Sequence, residues 1–224
     1  YLALCSANLP EPTIGPNSAT NSTDHFNTVI WTGTGGTQNI TGVGFQPDWI
    51  WFKTRSNGNA AAMVDTSRGL TKQIPPNGTA IEFTSDDGIT AVGSDGFSLG
   101  AGAAQYSSNT DDYTYVSWNW KANGATTTTN DASSTGVGSI DSVFQANTTA
   151  GFSIVQFAAT GSAGTIAHGL SAAPTFMILK SRDQNGTSWP VYYGDNTDYV
   201  TLDGTGATAD DANAWNDTSP TSTV

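Results

Sequence analysis

Cysteine occurs once in the 224 residues, at Cys5, so no internal disulfide framework can staple the fold. Basic residues are almost as scarce: seven Lys and Arg stand against nineteen Asp and Glu, a formal net charge of −12. A nucleic-acid backbone is met by a basic stripe, so a chain this acidic argues against that class of partner. Only two histidines are present, His25 and His168. With one cysteine they do not make a tetrahedral zinc site. No run of about 18 apolar residues exists, and no membrane insertion by a spanning helix is expected. Glutamate is nearly missing too, since Glu11 and Glu82 are the only two among nineteen acids. The first residues, Tyr1-Leu-Ala-Leu-Cys-Ser-Ala-Asn8, carry neither an initiator Met nor a signal pattern, and read as the middle of something longer.

What remains is Thr, Ser, Asn, Asp and Gly around a strong aromatic complement of seven Trp, seven Tyr and nine Phe. Asp without Glu is turn chemistry, because the short side chain bonds its own backbone while Glu prefers helices. Each aromatic side chain buries on the order of 150–250 Å². The combination predicts an all-β chain with many loops, stabilised by packing, by oligomerisation, or by both. Six Asn-x-Ser/Thr triplets, the first at Asn21 and the last at Asn216, could mark a glycosylated secreted protein, but with this much Asn, Ser and Thr chance is the simpler reading.

One stretch organises the rest. Pro47-Asp-Trp-Ile-Trp-Phe-Lys53-Thr-Arg55 returns as Pro174-Thr-Phe-Met-Ile-Leu-Lys180-Ser-Arg182, at a fixed offset of 127 positions. Four of the seven cations, Lys53, Arg55, Lys180 and Arg182, sit in the two copies. Alternation puts Trp49, Trp51, Lys53 and Arg55 on one face of a strand, and Ile50 and Phe52 on the other. Two apolar faces predict a central strand between layers. Around it, Phe26–Thr32 reads as a strand turned by Gly33-Thr-Gly-Gly36 into Thr37–Thr41, a hairpin. Ala60–Thr66, Thr79–Ser85, Ile89–Val92, Asp95–Leu99 and Tyr113–Trp120 follow as further strands.

The expected architecture is two tandem, jelly-roll-like β-sandwich domains. An extended arm over 1–24, rich in proline, precedes a first repeat over 25–122. A polar linker over 123–142 leads to a second repeat over 143–224, which opens with Phe152-x-x-Val155 matching Phe26-x-x-Val29. At the 127-residue offset Val224 corresponds to Phe97. The second unit is therefore expected to be incomplete, its missing strands lying in a longer protein or coming from a partner chain.

No catalytic constellation stands out. His25 and His168 fall at different places in the repeat, and His168-Gly169 reads as a turn. The many aspartates leave no acidic pair singled out for glycoside hydrolysis. Calcium is the one metal whose oxygen chemistry the pairs Asp86-Asp87, Asp111-Asp112 and Asp210-Asp211 could serve, but no Asp-x-Asp-x-Asp-Gly loop appears. The expectation is no cofactor. Trp49, Trp51, Trp118 and Trp120 could stack sugars, although interlayer packing accounts for them more simply. The recurring Pro47, Trp49, Trp51, Lys53 and Arg55, with Pro174, Phe176, Lys180 and Arg182, read as a structural signature. Lys53, Arg55 and Arg68 are expected to pair with local carboxylates such as Asp48 or Asp65, or to lie along the Trp faces.

Phe45–Ser56, Asp65-Thr-Ser-Arg-Gly69, Ser94–Gly100 and Tyr115–Ala122 resemble the repeated domains of tail fibre-like virion structural proteins of marine bacteriophages. In the second half the resemblance rests on Gly151-Phe-Ser-Ile-Val155, His168-Gly-Leu170, Leu179–Asp183 and Trp215–Pro220. It implies a non-enzymatic structural and adhesive module on the virion surface, part of a fibre or tail-associated protein. Its implied partners are other virion proteins, further copies of itself, with a trimer favoured, and host-surface glycan. A glycan depolymerase on the same appendage, and a head fibre or capsid decoration, are the alternatives.

Overall fold

In a computed structural model, the described residues are 21–101, 106 and 108–224. The chain is nearly all β, arranged as several antiparallel sheets. The first half contributes β1 (Phe26–Thr32), β2 (Gln38–Thr41), β3 (Trp49–Thr54), β4 (Ala62–Asp65), β5 (Lys72–Gln73), β6 (Phe83–Thr84), β7 (Ile89–Gly93), β8 (Gly96–Leu99) and β9 (Thr114–Trp120). The second contributes β10 (Thr128–Asn130), the short helix α1 (Ala132–Thr135), β11 (Ser142–Asn147), β12 (Phe152–Phe157), β13 (Met177–Ile178), β14 (Pro190–Tyr192), β15 (Asp198–Thr201) and β16 (Ala209–Asp210).

The signature strand β3 is central, as its two apolar faces predict. It lies in the sheet β1-β9-β3-β4, with Trp51 opposite Met63 of β4 on one side and opposite Trp118 of β9 on the other. Ile50, Phe52 and Thr54 are buried while Trp49, Trp51 and Lys53 are half-buried. Ile50 and Phe52 join a core that also takes Ile40 from β2, Val64 from β4, Ile89 from β7 and Leu99 from β8. Residues from the sheet β1-β9-β3-β4 and from the sheet β2-β8-β7 therefore share one apolar cluster.

The expected hairpin between β1 and β2 does not form. β1 pairs along its whole length with β9, Phe26 opposite Trp120, and β2 pairs with β8, Ile40 opposite Phe97. The turn 33–36 carries the chain from one sheet to the other, because the side-chain rows of β1 and β2 find their burial against distant strands. Gly33 is required there by a close approach: a Cβ at this position would lie 2.0 Å from the Thr110 carbonyl oxygen. Gly33→Ala is therefore expected to cost about 1–3 kcal/mol through backbone displacement, read as a shift in denaturation midpoint.

Residues 123–142, expected as a polar linker, are folded. β10 pairs with β11, Asp131 caps α1 by accepting from the Ser134 amide (3.1 Å), and Asn130 and Ala132 are buried. Ser133 and Thr135 bond Asp131, Asn130 and the backbone over short range, which a count of apolar residues does not register. Of the arm expected over 1–24, residues 1–20 lie outside the described residues, and Ser22–Asp24 form one 3-10 turn.

The internal repeat is visible in the strand registers. Lys72 faces Thr84 in β5–β6 and Asp198 faces Asp210 in β15–β16, the same pairing moved by 126 positions. β12 stands where β1 stands by the same offset, and β13 pairs with β14 as β3 pairs with β4. The two halves are packed together. Met63, Ile74 and Trp189 form a second apolar cluster to which Trp49, Trp51, Ile178 and Leu202 add partly buried surface.

Candidate functional site

Of the residues singled out by their rarity, Lys180 and Arg182 reach across the junction between the halves. The two lysines of the signature do one job. Lys53 Nζ donates to the carbonyl of Asn59, in the loop that follows its strand, and to that of Thr54 (3.1 Å). Lys180 Nζ donates to the carbonyl of Thr187 (2.5 Å) in the corresponding loop, and reaches across to the Thr79 carbonyl of the first half (3.2 Å). Lys180 also stands 5.7 Å from the centre of the Trp189 ring. Burial pulls its pKa down, partly opposed by the charge of Asp203. In each copy the lysine ammonium thus donates to a carbonyl of the loop that follows its strand.

The two arginines differ. Arg55 is exposed, and its guanidinium has no hydrogen bond or ion pair with the described residues. Arg182 grips Glu82 in a two-pronged pair, Nε to Oε2 at 2.8 Å and Nη2 to Oε1 at 2.9 Å, and donates to Gln156 Oε1 at 2.8 Å. Glu82 also accepts from Arg68 Nη1 at 3.0 Å, and Arg68 in turn pairs with Asp65 at 2.5 Å. One carboxylate thus binds an arginine from each half. Burial pushes the Glu82 carboxyl up, but the hydrogen bonds and charges of Arg182 and Arg68 outweigh it and hold it below its ordinary value. Arg182 is raised above its usual range by the same pair.

Asp48, expected as a partner for a cation, has no cation partner among the described residues. Its fully buried carboxylate accepts the amides of Ala122 (2.8 Å), Gly124 (2.9 Å) and Ala125 (2.8 Å) and the Thr66 hydroxyl (3.0 Å). It holds the turn through which the chain leaves β9 for the second half. Gln145 on β11, also fully buried, completes the seam by donating to Thr66 Oγ1 (2.9 Å) and Ser67 Oγ (2.6 Å). Among the signature residues, Pro47 is buried, Pro174 is half-buried and Phe176 is 59% exposed.

The tryptophans pack between the halves. Trp49 lies 4.5 Å from Trp120 and 5.7 Å from Phe152, ring centre to ring centre, and Trp51 lies 5.9 Å from Trp118. The histidines serve separate seams. His168 Nδ1 accepts the Leu170 amide (3.0 Å) in its turn, and His25 Nδ1 lies 2.8 Å from the Asn147 amide nitrogen. Among the described residues no three His, Cys, Asp or Glu side chains are grouped to hold a metal ion, and Asp211, in one of the aspartate pairs weighed for calcium, caps its own turn at Asn213. No described helix is long and apolar enough to span a membrane.

An all-β chain, internally duplicated and locked at its centre by charge and aromatic packing, is what these observations define. Residues 21–224 match the family described as "Domain of unknown function (DUF7483)", and the chain belongs to it. That match runs through both halves without a break. No curated protein and no solved structure matches the chain.

Glu82 and Asp48 were missed as centres by sequence reasoning. For Glu82 a signal existed: in a chain whose acids are almost all Asp, a lone mid-chain Glu marks a place where the longer stem matters. Asp48 carries no comparable signal, because its partners are backbone amides.

Proposed function

We propose that this protein is a non-enzymatic structural and adhesive module of a phage virion appendage, built from two tandem β-sandwich repeats. It belongs to a fibre or tail-associated protein on the particle surface. There it holds virion parts together and presents loops to host-surface glycan. The observation that carries this reading is the use of its rare cations. Lys180, Arg68 and Arg182 are spent on the seam between the halves, and Lys53 on the loop that follows its own strand. The sequence resemblance described above supplies the biological setting.

Incubation of the purified chain with host capsular or surface polysaccharide, followed by a reducing-end assay, is expected to give binding without release of new ends. Sustained turnover would establish a depolymerase instead. Native mass measurement of the whole appendage protein is expected to give a trimer. A monomer independent of concentration would count against the assembly reading.

A further inference from the structure

Asparagine is followed by glycine four times in the chain, at Asn57, Asn77, Asn123 and Asn185. This dipeptide carries its own chemistry. The glycine nitrogen can attack the asparagine side-chain carbonyl, and the glycine has no side chain to obstruct the approach. How fast it does so depends on the fold, because groups held by hydrogen bonds must first open locally.

Three of the four pairs are held. Asn123 donates from Nδ2 to the Thr126 carbonyl (3.0 Å), and the Gly124 amide donates to the Asp48 carboxylate (2.9 Å). The Gly186 amide donates to the Thr79 carbonyl (3.1 Å). Asn57 is half-buried, and its Oδ1 accepts the Asn59 amide (2.8 Å) in a tight turn. Asn77 is the exception. It lies exposed in the turn that leads out of β5, and neither its side chain nor the Gly78 amide has a hydrogen-bond partner among the described residues. Chain neighbours apart, no atom lies within 4 Å of the place a Cβ on Gly78 would take, so the backbone has room to close on the side chain.

The segment that follows Asn77 is where the first half grips the second. The Gly78 carbonyl accepts the Trp189 indole N–H (3.1 Å). The Thr79 carbonyl accepts both the Gly186 amide (3.1 Å) and Lys180 Nζ (3.2 Å). A little further on, the Glu82 amide donates to the Arg182 carbonyl (2.9 Å).

We propose that Asn77 is a self-modifying site, a slow chemical timer set at the junction of the halves. The Gly78 nitrogen bonds to Asn77 Cγ, the bond from Cγ to the side-chain nitrogen breaks, and the Gly78 amide proton leaves with that nitrogen as ammonia. Water then opens the resulting succinimide ring. Opening at the side-chain carbonyl gives aspartate. Opening at the main-chain carbonyl gives isoaspartate, in which the backbone runs through the former side chain and is longer by a methylene. The balance is water in and ammonia out, with no oxidant or reductant. Isoaspartate displaces the Gly78 and Thr79 carbonyls from Trp189, Gly186 and Lys180, and either product adds negative charge to a chain already at −12. Modification loosens the junction while each half keeps its own strand pairing. The inference does not rest on the proposed function.

The test is timed incubation of the full chain in mildly alkaline buffer, followed by digestion in acid and mass analysis of the four Asn-Gly peptides. The Asn77 peptide is expected to convert at least about tenfold faster than the other three, and all four at comparable rates in denaturant. Hydrogen exchange on the aged chain is expected to speed up at Gly186 and through residues 187–191, with β3 and β9 unchanged. Asn77→Gln, at an exposed position, is expected to keep the unaged exchange pattern through the same incubation. Conversion at Asn77 no faster than at the held sites would overturn the site. Conversion without faster exchange at Gly186, or the same loosening in Asn77→Gln, would overturn its link to the junction.

Discussion

Asp48→Ala is expected to lower the unfolding free energy by about 3–5 kcal/mol, among the largest losses any single substitution produces in this chain. The carboxylate is fully buried and accepts three backbone amides in the turn after β9, together with the Thr66 hydroxyl. Each amide left without an acceptor in a dry site costs on the order of 1–3 kcal/mol, and partial entry of water lowers the sum. Asp48→Asn keeps the volume and one acceptor oxygen, but turns an NH2 group toward amide donors. It is expected to lose about 2–3 kcal/mol. Denaturant titration of both variants measures the totals. Amide exchange gives the location, because residues 122–125 should exchange faster than the core strands β3 and β9. A loss below about 1 kcal/mol for the alanine variant would mean that the turn holds itself.

That turn also marks how far the sequence could be read. β1, β3, β7, β8 and β9 were legible as alternating or apolar runs between turn residues, and the burial of β3 follows its alternation position by position. The repeat was legible from Pro47–Arg55 and its return as Pro174–Arg182. Partner choice was not. β1 and β9 are far apart in sequence, and β1 carries the same pattern whether it pairs with β2 or with β9. Loop closure depends only weakly on loop length, so nearness in sequence is a poor guide once a distant strand offers more burial. The linker was misread because its stability is polar: Asp131, Thr135 and Asn130 bond one another and the backbone.

The centre of the molecule shows the same limit. The signature cations were legible as special, and the lysines act as a pair of matching clamps. The signature arginines look equivalent in sequence, yet among the described residues Arg182 has a carboxylate partner and Arg55 has none, because Glu82 has one place in the fold. Its position is fixed by the main chain as well, since its amide donates to the Arg182 carbonyl at 2.9 Å. A repeat predicts equal positions, and it leaves open which copy receives a partner.

Glu82→Gln is expected to destabilise the chain by about 2–3 kcal/mol at neutral pH, with loss concentrated at the junction of the halves. Removing one partner of a largely buried cluster leaves Arg68, whose side chain is only 8% exposed, with Asp65 as its sole ion-pair partner. The contribution of Arg182 is discounted, because its side chain is 43% exposed and solvent screens that half of the bridge. The pH dependence follows from the lowered pKa of Glu82. A carboxyl depressed in the folded state stabilises fully above its unfolded pKa of about 4.3, and the stabilisation disappears as pH falls through the lower folded value. The wild-type chain should therefore lose this increment on acidification below about pH 4. The Glu82→Gln variant, having no proton to take up there, should show a shallower acid limb. Thermal melts of both proteins between neutral and strongly acidic pH make the comparison. Parallel curves would show that Glu82 is replaceable by hydrogen bonding alone, and that the charge at the centre of the junction contributes nothing.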